Sequence, residues 1–360
     1  MGKFGRLKDW VAVSVVLASF FLPAAVAHAQ SSDTGALNLT TSPLPVVMTG
    51  KPGQSLSSEL RVKNSGTKAE TLKVGLMKFT AYGDEGKPQL KDRAPGDDYF
   101  DWVTFSENVF TVQPNEWKSI TMTVNLPKTA AFDYYYAATF SRANTSVPTT
   151  DRQAKVQGGT AILAIVEAEV PGAIRKAEIT SFTTSHKIYE FLPVTFNVKI
   201  KNTGNVHLAP IGTIYIQRGN KQIDTIDVNV AAGNVLPNSS RIFTATWDDG
   251  YPVYKLKENN GEVVLKNGQQ VQTLRWDNAR LGKLRWGRYT AHLTMVYDDG
   301  HRDVPMDATV SFWVIPWRVI GIALIPIVAF IFLSYRYIKL KKRLKALQKD
   351  QQKSAKAGAK

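Results

Sequence analysis

The 360-residue sequence contains no cysteine, and that absence excludes a disulfide framework, a thiolate metal site and a cysteine nucleophile together. Histidine is scarce, at five residues. Beyond the N-terminal segment only His186, His207, His292 and His301 remain, and no two share metal-ligand spacing such as His-x-His or His-Glu-x-x-His. Acid is in deficit, with 30 Asp and Glu against 45 Lys and Arg and a formal charge of +15. Between Leu37 and Pro316 there is neither a long apolar run nor an amphipathic helical period. A chain of this kind must draw its stability from apolar cores, and no cofactor or metal is required by its residues.

Two apolar runs stand at the ends. Lys3, Arg6 and Lys8 precede an apolar stretch from Trp10 to Val26 that closes in Ala27-His28-Ala29, the pattern of a cleavable export signal over residues 1–29. Near the other end, Val319 to Tyr337 is long enough to cross a hydrocarbon layer of about 30 Å. Trp313 and Trp317 mark one interface and Tyr335 and Tyr337 the other, which predicts a membrane helix over 316–338. From Arg336 onward ten basic residues face only Asp350, leaving +9 of the total charge in the last stretch. Residues 339–360 therefore read as a cytoplasmic tail, with the C-terminus inside and the ectodomain outside. The high charge is a topology signal and gives no ground for nucleic-acid binding.

The region between the two runs has a period of two. Leu60 and Val62, Ile120 to Leu126, Val194 to Ile200 and Ala291 to Met295 alternate apolar and polar residues. Turn residues recur between them, as in Lys51-Pro-Gly53, Asn64-Ser-Gly66, Asn202-Thr-Gly204 and Asp298-Asp-Gly300. The same succession occurs twice. Arg61 to Gly66 matches Lys199 to Gly204, Lys118 to Val124 matches Arg241 to Trp247, and each half closes on an apolar strand that stops at proline, Pro171 or Pro316. This predicts an all-β chain of two tandem immunoglobulin-like β-sandwich domains, at 30–171 and 172–315, the second carrying an insertion around Tyr251 to Lys283.

Few residues carry a signature of chemistry. Ser65-Gly-Thr-Lys68 has the spacing of an acylating serine, but it sits in a hairpin turn without the partner motifs that reaction needs. Asp97-Asp98, Asp248-Asp249 and Asp298-Asp299 have the oxygen donors of a calcium loop and equally the composition of plain turns. The aromatic content of the first domain points elsewhere. Tyr99, Trp102, Trp117, Tyr134 and Tyr136 are candidate binding residues, because exposed rings suit sugar faces and protein hot spots. In strand alternation Tyr134 and Tyr136 share one face, Tyr135 takes the other, and at least one of those faces is expected to be wetter than a core.

The local sequence also resembles a known family. Val47 to Leu60 with Pro52-Gly53, Val62-Lys-Asn64, Phe79 to Gly83, and Phe110 to Glu116 leading to Val124-Asn-Leu-Pro127, in this order of parts, are similar to the WxL-interacting surface proteins of Gram-positive bacteria. Where members of that family place a glycine after the proline, this chain has Phe132-Asp-Tyr134. The resemblance implies a first domain that binds peptidoglycan and a second that binds a host or partner protein. The expected function is that of a non-enzymatic, membrane-anchored surface protein binding wall glycan or wall-associated proteins in adhesion or scaffolding. An envelope hydrolase using Asp97, Asp98 and Asp101 beside Trp102, or an assembly module offering a sheet edge to partner strands, are the alternatives.

Overall fold

The computed structural model describes residues 37–143, 159–259 and 261–357, with side chains through residue 345, so the export signal read over 1–29 lies outside the described residues. The alternating residues form the strands that their period predicts. Leu60 and Val62 on one strand, and Ile120, Met122 and Val124 on its neighbour, are all buried to within 1 %.

The first half contains β1 (Leu39–Ser42), β2 (Val46–Gly50), β3 (Ser55–Asn64), β4 (Glu70–Tyr82), β5 (Lys87–Lys91), β6 (Val103–Phe105), β7 (Val109–Val112), β8 (Trp117–Asn125), β9 (Phe132–Arg142) and β10 (Thr160–Ala168). One sheet runs β1-β3-β8-β6 and the other β2-β10-β9-β4-β5, with β7 also on β4. The second half contains β11 (Ala177–Thr184), β12 (Ile188–Tyr189), β13 (Val194–Asn202), β14 (Ile211–Arg218), β15 (Lys221–Val228) and β16 (Ser240–Trp247). A forked ribbon of short ladders follows, β17 (Val253–Leu256), β18 (Glu258–Asn259), β19 (Glu262–Val263), β20 (Leu265–Lys266), β21 (Gln269–Gln270) and β22 (Gln272–Arg275), and then β23 (Gly287–Asp298) and β24 (Asp303–Val314). The sheets here are β11-β13-β16 and β12-β24-β23-β14-β15.

Apart from β6 and β7, which have no counterpart in the second half, the two strand orders match, β1-β3-β8 with β11-β13-β16 and β2-β10-β9-β4-β5 with β12-β24-β23-β14-β15. In each half the opening segment starts antiparallel in one sheet and then crosses to lie parallel to the last strand of the other, β2 on β10 and β12 on β24. These are two tandem immunoglobulin-like sandwiches. Among the described residues, no sheet mixes strands of the two halves. The ribbon occupies the place of the insertion expected at Tyr251 to Lys283.

Asn64 and Asn202 explain why both halves repeat an Asn-x-Gly turn. Each is fully buried at the end of its strand. Asn64 Nδ2 donates to the carbonyls of Lys68 and Val112, at 2.7 and 3.1 Å, and its Oδ1 accepts from Gly66 N–H. Asn202 Nδ2 donates to Val206 and Val235, at 2.8 and 2.9 Å, and its Oδ1 accepts from Gly204 N–H. One side chain thus satisfies three backbone groups that the turn would otherwise bury unpaired. The Ser65-x-x-Lys68 tetrad lies in the first of these turns, with the Ser65 hydroxyl bonded to that of Thr40.

The closing strand of the first half is apolar on both faces for a structural reason. Ile162, Ala164 and Val166 point into their own sandwich and are fully buried, while Ile165 and Glu167 on the other face are buried to within 4 %. That second face meets the second sandwich. Asp84 in the β4–β5 turn accepts from Ile242 N–H through its carbonyl at 2.6 Å and from Lys199 Nζ through its carboxylate at 2.6 Å. Tyr135 lies on this face, edge-on to Phe79 at 5.6 Å. On this face the second domain takes the place of much of the water, while Tyr134 on the opposite face is partly exposed.

The last strand runs into α1 (Trp317–Ala357) through Ile315-Pro316. Its Trp317–Lys345 portion is long and apolar enough to cross a membrane, and none of its most apolar stretch is buried by the rest of the protein. The helix does not stop at residue 338. It continues through the lysine-rich segment that the sequence separates as a tail.

Candidate functional site

Three rings of the first sandwich form a partly exposed platform. Asp98–Trp102 is a single 3-10 turn between β5 and β6, and it carries Tyr99, Phe100 and Trp102 against Tyr134 and Tyr136 of β9. Tyr99 lies 5.5 Å from both Tyr134 and Tyr136, and Trp102 meets Tyr134 edge-on at 4.8 Å. Tyr136 is fully buried and Phe100 nearly so. Tyr136 therefore supports the platform from below, its hydroxyl donating to the Tyr99 carbonyl at 3.0 Å, and it offers no surface to a ligand. The Tyr134 hydroxyl accepts from Ala131 N–H at 3.0 Å. Burial, then the neighbouring Asp97 charge, pushes the Tyr99 phenol up to about 12. The Tyr136 phenol is likewise raised by burial.

Ion pairs fix the rim. Lys78 Nζ donates to Asp97 Oδ2 at 2.6 Å, and Arg93 holds Asp101 in a two-point pair at 2.6 and 2.5 Å while lying over the Phe100 ring. The bond from Lys78 holds the Asp97 carboxyl below its usual range, and the bond from Arg93 does the same for Asp101. A glycosidic general acid needs the opposite shift.

Trp117 stands apart from this group. It opens β8 under the Arg61 guanidinium at 5.1 Å, whereas the turn bearing Trp102 continues into Val103 opposite Val124 near the other end of β8. Seven residues of strand, about 24 Å, separate the two ends. The sequence places Trp117 with the others by composition, and the structure does not.

The acidic turns are internally satisfied. Asp299 Oδ1 accepts from His301 and Arg302 N–H, and Asp298 from Gly300 N–H. Asp249 pairs with Lys283 and, at 2.8 Å, with Arg285; burial pushes its carboxyl up, but these cations more than offset that and hold it low.

A group that the sequence reading did not assemble lies between the sandwiches. His207 Nδ1 is 2.8 Å from Asp133 Oδ2 and 3.8 Å from Glu167 Oε2, and the side chains of Asp133 and Glu167 are 2 % and 5 % exposed. Asp133 Oδ2 also accepts from His207 N–H and from the Tyr135 hydroxyl, and Arg175 pairs with Glu167. These three residues are the set among the described residues with the donor types for a divalent cation. Asp133 Oδ2 takes all three donors, the His207 ring, the His207 N–H and the Tyr135 hydroxyl, while its Oδ1 is buried without a partner, and the bonds from His207 to Asp133 work as a hydrogen-bonded latch between domains. Phe132, beside Asp133, takes φ +62, the left-handed region that favours glycine. A lone acid in the apolar run of β10, Glu167, was the signal available in the sequence.

Beside the latch lies a cavity of about 580 Å³ between the domains, walled by Phe79, Leu163 and Ile165 on one side and Val235 and Arg241 on the other. Arg241 donates to the Asn234 carbonyl at 2.8 Å and lies over Phe243.

Residues 50–150 match a family described as an Fn3-like domain, which covers less than a third of the chain. No curated protein matches the chain significantly. Among solved structures, the class 5 fimbriae chaperone CfaA is 17% identical, with 67% of this chain and 100% of that one covered at a TM-score of 0.30. The YadV chaperone is 11% identical over 76% of this chain and 100% of that one, at 0.32. The Pseudomonas aeruginosa CupB2 chaperone is 10% identical over the same shares, at 0.30. Likeness at this level carries no argument about partner or activity; the sandwich fold rests on the strand register itself.

Proposed function

We propose that the protein is a membrane-tethered surface protein that binds a partner outside the cell without catalysing a reaction, its first sandwich meeting cell-wall glycan. The observation that supports this most is the Tyr99–Trp102–Tyr134 platform, whose rings are held by Tyr136 and Phe100 beneath and by two ion pairs at the rim. Rings fixed before binding lose little freedom on contact with a sugar face, so their area converts efficiently into affinity. The neighbouring carboxylates are held as ions and act as structure. The similarity of this half to WxL-interacting proteins agrees with the reading. Addition of a partner strand is less favoured at β5, where Pro88 and flanking lysines blunt the edge.

Sedimentation of the full chain in nanodiscs with purified peptidoglycan at physiological salt tests the proposal. The chain should co-sediment, and a Trp102→Ala, Tyr134→Ala variant should lose about tenfold in affinity, the scale of a central aromatic hot spot. A Trp117→Ala control should bind normally. Equal binding by the platform variant and the native chain would remove the site, and release of sugar fragments would restore the hydrolase alternative. The charged rim also suits a wall-associated protein, and binding to such a protein with no binding to glycan would transfer the site to that partner.

A further inference from the structure

The end of the second sandwich from which α1 departs carries more apolar surface than a helix junction requires. Trp276, Leu281, Leu284, Trp286, Trp313 and Trp317 are each at least 38 % exposed. Strand register brings them to one end. Gly287 pairs with Val314 and Arg288 with Trp313, which sets Trp286 beside the strand end that leads into the helix. Trp276 reaches the same end from the ribbon, its ring 6.4 Å from Phe191 and 5.7 Å from Tyr251. Phe191 follows Glu190, whose carboxylate is 3.4 Å from the Arg318 guanidinium at the start of α1. Tyr251 N–H donates to the Lys283 carbonyl at 3.0 Å, which seats the Asn278–Lys283 turn bearing Leu281.

We infer that this face is a bilayer-contacting foot: the ribbon and the turn before β23 rest in the headgroup layer together with the first turn of α1. The inference rests on α1 crossing a membrane and does not depend on the glycan reading. Reach fixes the partner. Three peptide steps join Val314 to Trp317, at most about 11 Å, so the sandwich end sits within a headgroup layer's thickness of the hydrocarbon. The composition fits the same partner, because tryptophan at a membrane interface buries its ring and keeps its N–H in the wet layer. Basic groups ring the patch, among them Arg218, whose guanidinium lies 4.2 Å from the Trp286 ring, and Arg288, suited to lipid phosphates. The pairing of Arg318 with Glu190 and with the Tyr254 hydroxyl, itself bonded to Glu190, ties the helix to the sandwich and orients the foot.

The absence of cysteine allows a direct test with the full chain in nanodiscs, one chain per disc. A spin label is placed at Gly282→Cys, where an added side chain meets open space. A second is placed at His301→Cys in the β23–β24 turn, about 37 Å along the strand from the foot. A third, at Ile322→Cys within α1, reports the span. The label at 282 should collide with a water-soluble nickel complex severalfold less often than the label at 301. A Trp276→Ser, Trp286→Ser background should raise its collisions toward the value at 301. Equal collision rates at 282 and 301, with the label at 322 in hydrocarbon, would overturn the foot and leave the span standing. A water-exposed label at 322 would overturn both. Shielding at 282 that appears only at several chains per disc would assign the face to a second copy of the chain and overturn the lipid reading.

Discussion

Asn64 and Asn202 occupy equivalent turns and make the same three bonds, so their removal should have equivalent effects. Replacing either with alanine strands two buried carbonyls and an N–H. Each substitution should lower stability by about 2 to 3 kcal/mol, read by urea unfolding of the variant against the native chain. The titrating residues define a pH window. The Tyr99 phenol is raised to about 12 by burial and by Asp97, and Tyr135 and Tyr136 are raised by burial first. A phenol whose folded value exceeds its unfolded value of about 10 keeps its proton longer in the folded state, so its contribution is whole below about pH 10 and falls as pH rises. Glu70, lowered chiefly by its bond to Arg142, and Asp97, lowered chiefly by Lys78, act oppositely. Their contribution is whole above about pH 4 to 5 and is lost as pH falls through their folded values. Thermal unfolding should therefore show a plateau from about pH 5 to 9.5 with losses on both flanks; a rise in melting temperature above pH 10 would contradict the burial of the phenols.

β10 shows how one element can serve two cores. Its alternate residues fill its own sandwich, and the others, with Tyr135 and Phe79, face the second domain. Asp133→Ala should remove the acceptor of His207 N–H, the His207 ring and the Tyr135 hydroxyl, at a cost of about 3 kcal/mol. Calorimetry should show the native chain melting its two sandwiches together and the variant melting them apart; an unchanged single transition would show that the latch does not couple them. Much of the element plan was legible in the sequence, because a period of two and the repeated Asn-x-Gly turn are local signals. The ribbon was visible as an interruption of the second repeat. The pairing of Asp133 with His207 was not legible, since it joins residues far apart in the chain across a docking surface that periodicity does not encode. Aromatic composition grouped Trp117 with Tyr99, and only strand register separates them. The continuation of α1 beyond residue 338 follows from the run of Lys, Leu, Ala and Gln after the span, good helix formers that no glycine or proline interrupts before the end of the helix.

At the scale of the whole molecule, two sandwiches latched face to face stand on a helix fitted for one crossing. In the proposed arrangement the second rests near the lipid, and the first carries the aromatic platform. Both the proposed glycan contact and the bilayer foot require the sandwiches to lie outside the membrane and the basic segment inside. The cysteine-free sequence permits that orientation to be read at single sites in intact cells, with Lys68→Cys in the first sandwich and Ser354→Cys in the basic segment. A membrane-impermeant maleimide should label the cysteine at position 68 on intact cells and the one at 354 only after lysis. Labelling of 354 on intact cells with 68 protected would contradict the account.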